Sequence, residues 1–597
     1  MFHLPSLAYI LEKGRAAFKR FPYPLICSFL GGATAILLIE NQSDDFWFLK
    51  LLMTFGLGIS LFFSLTLYLE RPLARFRLKP VQWLGAGSLL LLGFYFLSGQ
   101  APTENFFLNY AQWALALHLL AAFSPFLGAG EARGFWQFNR YLFLRFLLSA
   151  LYAGVFFIGM VIALGAVDHL LGIKIHDKLY PDLWVFSVSF LMTWHFLAGV
   201  PKGLDKLDRD DSYPGGLKVF TQYLLVPLVT LYLVILYLYL GKILLKADWP
   251  KGTVTWLVSV VSVAGVFNLL LLQPVQEKKE NGWIRVYARG FYWALLPLLG
   301  MLFTAVGKRI GQYGVTEQRY FVTILGLWIL GIALYFLFHN RPTIKTVPLT
   351  LFLVTLLTSM GPWGAYSVSR MSQMARLKAF FVKDGLWNGT KAVKTAQEVP
   401  WEDRQEISSI LDYLVENHGV ALLQPWFDLD LSKWKDERER HRYGYSSVSN
   451  EICKSLGFDH VDRWQAKSQG SNFYFYSEAG NEALSVKDYD YWVQISGARN
   501  FKIGGQAVTV TVTGPFLTVK PAGGAELVFD LADMVASLEK DHPNKNGNQL
   551  PAEELSMESS NGEWKGKLYL SNLQGSHKDK GIQVSYPQGF LLLRRLR

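Results

Sequence analysis

The feature that most constrains this chain is a series of apolar blocks, each close to the length of a bilayer-crossing helix, that stops near residue 369. They fall at about 22–40, 46–69, 80–98, 106–127, 141–167, 183–200, 217–241, 254–273, 287–307, 320–338 and 348–369. About 20 helical residues rise roughly 30 Å, the thickness of a hydrocarbon core. A chain of 597 residues with 51% hydrophobic and 15% aromatic residues and a positive mean hydropathy is too apolar for a soluble protein of its size. The expected fold class is a polytopic α-helical membrane domain of about 11 spans, followed by a small extracytoplasmic α+β domain with a mostly antiparallel sheet. The expected boundaries are 1–370 for the transmembrane domain, 371–420 for an amphipathic helical linker and 421–597 for the soluble strand-rich domain.

The last block decides which side the soluble third occupies. It reads VPLTLFLVTLLTSMGPWGAYSVSRMSQMAR, from Val347 to Arg376. Pro348 to Ser369 reach roughly 33 Å as a helix, enough to cross. Pro362, flanked by Gly361 and Gly364, removes a backbone donor and predicts a kink or break after Met360, which leaves a run also typical of a re-entrant segment. Crossing is the expectation. At the other end, Lys13, Arg15, Lys19 and Arg20 precede a long apolar run closed by Glu40, the pattern of an uncleaved first helix.

Charge locates the chain and narrows its partners. Residues 1–370 hold 31 Lys+Arg against 18 Asp+Glu, a balance of +13, whereas residues 371–597 hold 27 against 29, a balance of −2. The basic excess therefore lies in the membrane half, and the soluble part lacks the surplus that nucleic acid attracts. With a cytoplasmic N-terminus, inner segments carry 21 Lys and Arg and outer segments nine. That asymmetry puts the N-terminus inside, and an odd span count puts the C-terminal part outside. Cys27 lies in an apolar stretch and Cys453 in the soluble part, so an exported domain must fold without an internal disulfide.

Pro227 and Pro297 fall inside spans, where a freed carbonyl needs another partner. No internal repeat of the inverted-transporter kind is visible. Among polar groups at membrane depth, His118, His195 and Asn268 are the deepest, and His118 and Asn268 are the candidates for a membrane-embedded binding site; helix-to-helix hydrogen bonding is the simpler account of both. Asp168, His169 and Glu40 lie at expected outer ends, within reach of water, and Lys50 is near enough to an end to snorkel. The inner loop VPKGLDKLDRDDSYP offers Asp205, Asp208, Asp210 and Asp211, but Lys206 and Arg209 neutralise them locally, so a solvated mixed-charge loop is expected rather than a metal site. Zinc, nucleotide and hydrolase signatures are missing, and neither metal nor cofactor is expected. The outer loop GKRIGQYGVTEQRYF, Gly307 to Phe321, pairs a turn at Gly314 with Thr316 as a helix cap and Glu317 in the first turn. Arg319 then sits where a guanidinium meets a carboxylate or a lipid phosphate.

The strings YGVTEQRYF, LAGVPKGLD (Leu197–Asp205), FTQYLLVPLVTLYLVILYLY and SMGPWGAYSVSRMSQMARL, in this order of mention, carry a resemblance over most of residues 20–380. The chain resembles the bacterial multi-pass membrane proteins grouped as domain-of-unknown-function 4153 (DUF4153). The resemblance implies a bacterial inner-membrane protein whose molecular role is not established, and it brings no catalytic residues.

In the soluble third, Leu377, Phe380 and Phe381 among Lys and Arg suggest an interfacial amphipathic helix, and Ile407, Ile410, Leu411, Leu414 and Val415 mark one face of a helix ending near Asn417 and Gly419. The run Lys433–Tyr445 reads as a solvated charged surface. From Ser471 the apolar period becomes two, with strand-like stretches NFYFYSE, YDYWVQI, QAVTVTVTG, PFLTVKP, AELVFDL, EWKGKLYLS and IQVSYPQGFLLL. Glu539–Glu563 reads as a long loop. Tyr474, Tyr476, Tyr489, Tyr491 and Trp492 form a candidate aromatic platform, with half of them expected in the core by alternation.

The leading functional expectation is a non-enzymatic inner-membrane protein, transporter-like or an envelope scaffold, whose outer domain binds an envelope protein or glycan. Its partners are then membrane lipids and that component. The rival is a membrane enzyme acting on a lipid-linked or phosphate-bearing substrate, with Glu317, His169 and Asp168 as proton-transfer candidates and Arg319 as the phosphate contact.

Overall fold

The computed structural model describes every residue except 1–6, 42–44, 71–78, 100–101, 128–131, 247–252, 277–280, 396, 434–444, 462–471, 478–484, 523, 542–548, 579–580 and 597. The chain divides into two compact units, Met1–Ala379 with Tyr413–Ser432, and Phe380–Asp412 with Lys433–Arg597.

In the first unit, nine helices among the described residues are long and apolar enough to cross a membrane: Pro22–Asn41, Phe46–Glu70, Pro80–Leu97, Glu104–Phe126, Ala132–Leu171, Gly215–Lys246, Val254–Gln276, Gly282–Tyr313 and Glu317–Phe338. They match nine of the eleven expected blocks. The other two are interrupted, and for different reasons. Residues 179–198 are helical throughout, but Ser187–Met192 widens into a π-helical turn between Leu179–Phe186 and Thr193–Ala198. The final block forms the helix Thr346–Thr358 and then turns at Gly361 (φ +80°) and Pro362, so the expected break falls two residues early. Thirteen residues rise only about 20 Å, so eleven uninterrupted spans are replaced by nine helices and two broken runs.

Both broken runs nevertheless travel the length of a long neighbour. Lys178 Nζ bonds Glu40 O at 2.6 Å, at one end of Pro22–Asn41, and Arg20 Nη1 bonds Val200 O at 2.7 Å, at the other. Likewise, Lys345 Nζ lies 5.8 Å from the Phe126 ring centroid, at one end of Glu104–Phe126, while Ser359 O accepts from Asn109 Nδ2 at 2.9 Å, near the opposite end.

Between lipid-soluble helices, close packing and interhelical hydrogen bonds replace hydrophobic exclusion as the cohesive term. Leu295, Leu298 and Leu302 of Gly282–Tyr313 are fully buried against Val258, Leu272, Ile329 and Ile332. Gly265 lets this packing close, because a Cβ there would meet the Phe291 ring at 2.0 Å. The π-helical turn Phe220–Leu225 precedes Pro227, and near Pro297 the Ala294 carbonyl accepts from Tyr237 OH at 2.8 Å.

The helix Trp401–His418 buries Ile407, Ile410, Leu411, Leu414 and Val415, the expected face, and ends at Gly419 (φ +83°). In the second unit, Cys453 on the helix Tyr445–Leu456 is buried beside Ser408 Oγ at 3.8 Å. Burial pushes its thiol up to about 12, and both cysteines are free.

Among the described residues, ten strands make two sheets. They are β1 (Asn472–Ser477), β2 (Tyr491–Ser496), β3 (Arg499–Ile503), β4 (Gln506–Thr513), β5 (Phe516–Pro521), β6 (Leu527–Asp530), β7 (Gln549–Leu550), β8 (Ser556–Ser560), β9 (Trp564–Lys578) and β10 (Gly581–Arg595). One sheet runs β2-β10-β9-β1-β7 with β8 beside β9; the other runs β3-β4-β5-β6. Every pairing is antiparallel except β1 with β7. Alternate residues of both sheets, including Phe473, Phe475, Leu568 and Leu591 from one and Val508, Val510, Leu517 and Phe529 from the other, share one core with the helix Leu531–Asp541. All seven expected strands are present. The Glu539–Glu563 tract, expected to be a loop, instead contains among its described residues the end of that helix, the short β7 with Leu550 in the core, and β8, a mostly polar strand paired with β9. Most of Lys433–Tyr445 lies outside the described residues.

Candidate functional site

Glu317 is the first residue of its helix, where the aligned peptide dipoles favour negative charge. It is 3% exposed, and three other segments converge on it. Asn105 Nδ2, from the start of Glu104–Phe123, donates to Oε1 at 2.9 Å, and Ser369 Oγ, from Ala365–Lys383, donates to the same oxygen at 2.6 Å. Tyr413 OH, from Trp401–His418, donates to Oε2 in a short contact. His418, the last residue of that helix, sets Nε2 3.3 Å from Oε1 and Nδ1 3.3 Å from Asn105 Nδ2, with its ring edge-on to Tyr413. Burial, and then the adjoining carboxylate, push the Tyr413 hydroxyl above its ordinary range, so it keeps the proton that it donates.

The same helix start continues the network one turn inward. Tyr366 OH donates to Gln112 Oε1 at 2.5 Å, Gln112 Nε2 donates to Thr358 Oγ1 at 3.2 Å, and Asn109 holds Ser359. The loop before Glu317 is tied down as well. Tyr313 O accepts from Arg319 at 3.1 Å, Gln373 at 3.0 Å and Arg376 at 2.8 Å, while Val315 N donates to Ser372 Oγ at 2.9 Å. Gly314 has φ +69°, and a Cβ there would meet Arg376 Cδ at 2.6 Å, so the expected turn glycine is required twice over. Thr316 occupies the cap position without a side-chain cap bond.

Chemically this is a clasp. A general base needs an oxygen that a substrate proton can approach, whereas both oxygens of Glu317 already accept from buried side chains. Arg319, expected to face a phosphate, donates to the carbonyls of Tyr313 and Gly314. Asp168 and His169 lie exposed at the end of Ala132–Leu171, with no side-chain hydrogen bond or ion pair among the described residues to Glu317 or Arg319. His118 Nδ1 meets Ala114 O at 2.7 Å and Nε2 lies 3.5 Å from Ser60 Oγ, the helix-to-helix role. His195 Nδ1 meets Ser149 Oγ at 2.8 Å, and its carbonyl accepts from Arg145. Asn268 is fully buried, and its amide lacks a well-aligned partner among the described residues. In the acidic loop, Asp210 lies 3.5 Å from Arg140 and Asp211 2.6 Å from Arg133, and no metal-binding cluster occurs among the described residues.

A family model described as "Domain of unknown function (DUF4153)" matches residues 25–383, more than half of the chain. The chain belongs to the DUF4153 family. A relative, the uncharacterized protein PM1469 of Pasteurella multocida (strain Pm70), is 27% identical over 362 residues, covering 60% of this chain and 58% of that protein. The chain thus spans less than two thirds of that relative's length. No solved structure matches. The DUF4153 segment contains Asn105, Glu317 and Ser369, but it ends before Tyr413 and His418, so two partners of the carboxylate come from sequence beyond the family match. Sequence reasoning singled out Glu317 and missed these four. Asn105, Asn109 and Gln112 follow i, i+4 and i+7 in an otherwise apolar helix, a readable polar stripe; Tyr413 and His418 leave no comparable trace.

The second unit presents a different surface. By register, Trp492, Gln494 and Phe590 lie on the outer face of the six-stranded sheet, as do Tyr474, Tyr476, Asn572 and Gln574. Trp492 is 54% exposed and stacks on Phe590 at 5.4 Å; Tyr474 is 39% exposed and lies 6.0 Å from Tyr476. Between them, Tyr569 and Leu592 are covered by Ala552 and Tyr489. Tyr491 shares the core-facing side with its partner Leu593, at the sheet edge.

Proposed function

We propose that this DUF4153 member is a non-enzymatic scaffold of a bacterial inner membrane that holds its strand-rich domain outside the cytoplasm, where the outer aromatic face of the sheet binds an envelope glycan. The observation that carries this reading is two ring pairs, exposed Trp492 on half-buried Phe590 and exposed Tyr474 beside half-buried Tyr476, together with amides on one sheet face. Flat rings match the apolar faces of sugars and amides match their hydroxyls. The clasp at Glu317 supports a scaffold over an enzyme, because its carboxylate ties four segments together. A transporter-like bundle is the second reading, favoured by the fully buried polar side chain of Asn268 at membrane depth.

Orientation follows from eleven traverses, nine by long helices and two by the interrupted runs that track Pro22–Asn41 and Glu104–Phe126, together with the basic excess on one set of loops. A reporter fused after Arg597 that fluoresces only in the cytosol is expected to stay dark, while a periplasm-active enzyme fused there works. A bright cytosolic reporter refutes the external domain.

For binding, the full-length protein in detergent is expected to co-sediment with purified envelope glycan. Trp492→Ala is expected to weaken this by about tenfold or more, the scale of a buried aromatic anchor. Unchanged sedimentation in both Trp492→Ala and Tyr474→Ala removes the glycan from the proposal and leaves a protein partner for that face.

A further inference from the structure

A cleft of about 590 Å³ opens between the first helix, the end of Phe46–Glu70 and the loop after Val200. Its floor is a fixed ion pair. Arg20 Nε and Nη2 reach the two Glu70 carboxylate oxygens at 2.7 and 2.8 Å, and the same guanidinium donates to Val200 O at 2.7 Å and Pro201 O at 2.9 Å. Its four bonds tie three segments together and compensate its charge. Lys19 and Lys202 on the rim are exposed and make no hydrogen bond or ion pair among the described residues. Asp205, the remaining carboxylate of the lining, already has an interaction. Three cations against two carboxylates leave the described lining positive, with Lys19 and Lys202 exposed on it.

Position restricts what such a cleft meets. Pro22 begins one membrane-length helix and Glu70 ends the next, so the cleft sits at the level of lipid headgroups. Ile26, Phe29 and Leu30, in the first turns of the helix Pro22–Asn41 that follows Arg20, are exposed, at 45%, 65% and 41%, an apolar strip at the start of a membrane-length helix. Cations at headgroup depth above an apolar strip match a molecule with a phosphate at one end and acyl chains at the other. We infer that this cleft binds a phosphate-bearing anion, the headgroup of an acidic phospholipid, between Lys19 and Lys202. Its role goes beyond the scaffold reading and stands whichever way the C-terminal domain faces.

The test is a calorimetric titration of the full-length protein in detergent with short-chain phosphatidylglycerol, short-chain phosphatidylcholine and inorganic phosphate. Phosphatidylglycerol is expected to bind at least tenfold tighter than phosphatidylcholine. Lys19→Gln combined with Lys202→Gln is expected to weaken it about thirtyfold, the loss of two basic contacts with a phosphate. Lys218→Gln, a basic change outside the cleft, is expected to leave it unchanged, and identical melting curves for the variants show that folding is intact. Inorganic phosphate binding as tightly as the lipid, with the same lysine dependence, keeps the phosphate site and replaces the lipid with a soluble anion. Phosphatidylglycerol affinity untouched by the double substitution, or lowered equally by Lys218→Gln, overturns the proposal.

Discussion

Glu317→Ala is expected to lower the unfolding free energy of the purified protein by about 3–5 kcal/mol, the usual cost of removing one member of a buried charged network. The size follows from what remains. Asn105 Nδ2, Ser369 Oγ and Tyr413 OH lose their acceptor in a buried site, and an orphaned buried donor costs about 1–3 kcal/mol. Tyr413→Phe removes one donor and leaves the carboxylate its other partners, so about 1–2 kcal/mol is expected. Denaturant unfolding in detergent, followed by tryptophan fluorescence, measures both, and the double variant should lose less than the sum because the two groups share a bond. A loss below about 1 kcal/mol for Glu317→Ala would mean that water reaches this carboxylate, which contradicts the clasp.

The second large effect belongs to the β unit. Gly589 sits at a register shift between β9 and β10, and a Cβ there would lie 2.0 Å from Tyr569 O and 2.8 Å from Leu570 Cα. Both obstacles are backbone, so no side-chain rotation relieves them. Gly589→Val is expected to cost about 3 kcal/mol or more, at or above the upper range for overpacked sites, and to expose the second unit to protease under conditions where the native protein resists. Gly505→Val is the comparison: in the two-residue β3–β4 turn at φ +88°, with no heavy atom near its added Cβ, it carries only the backbone strain of a side chain at positive φ, about 1–2 kcal/mol, and should cost less. Equal protease resistance of Gly589→Val and the unaltered chain would show that β9 can move aside.

Long apolar runs and two-residue alternation are one-dimensional signals, which is why nine helices and seven strands could be placed from the sequence. Interruptions were harder to read. Pro362 announces a break because its ring and missing N–H act locally, whereas the π-helical turn at Ser187–Met192 has no proline or glycine of its own and arises in packing, where Ser28 Oγ reaches Ser189 O and Thr193 Oγ1. Strand β3 escaped notice because Arg499, Asn500 and Lys502 interrupt its apolar pattern at a sheet edge. The carboxylate at Glu317 was legible from its place in a helix's first turn. Its partners were not, since burial reversed the expectation of a water-facing acid and two of them lie about a hundred residues downstream.

That separation has a consequence for biogenesis. Asn105 and His418 stand 313 residues apart, so at ribosomal speeds of 5–20 residues per second the first of them waits roughly 15–60 s for the other. Until translation delivers Tyr413 and His418, the nascent bundle carries an acid whose ligands are incomplete. A chain cut short in that interval lacks two of the four side chains that surround Glu317 in the finished protein.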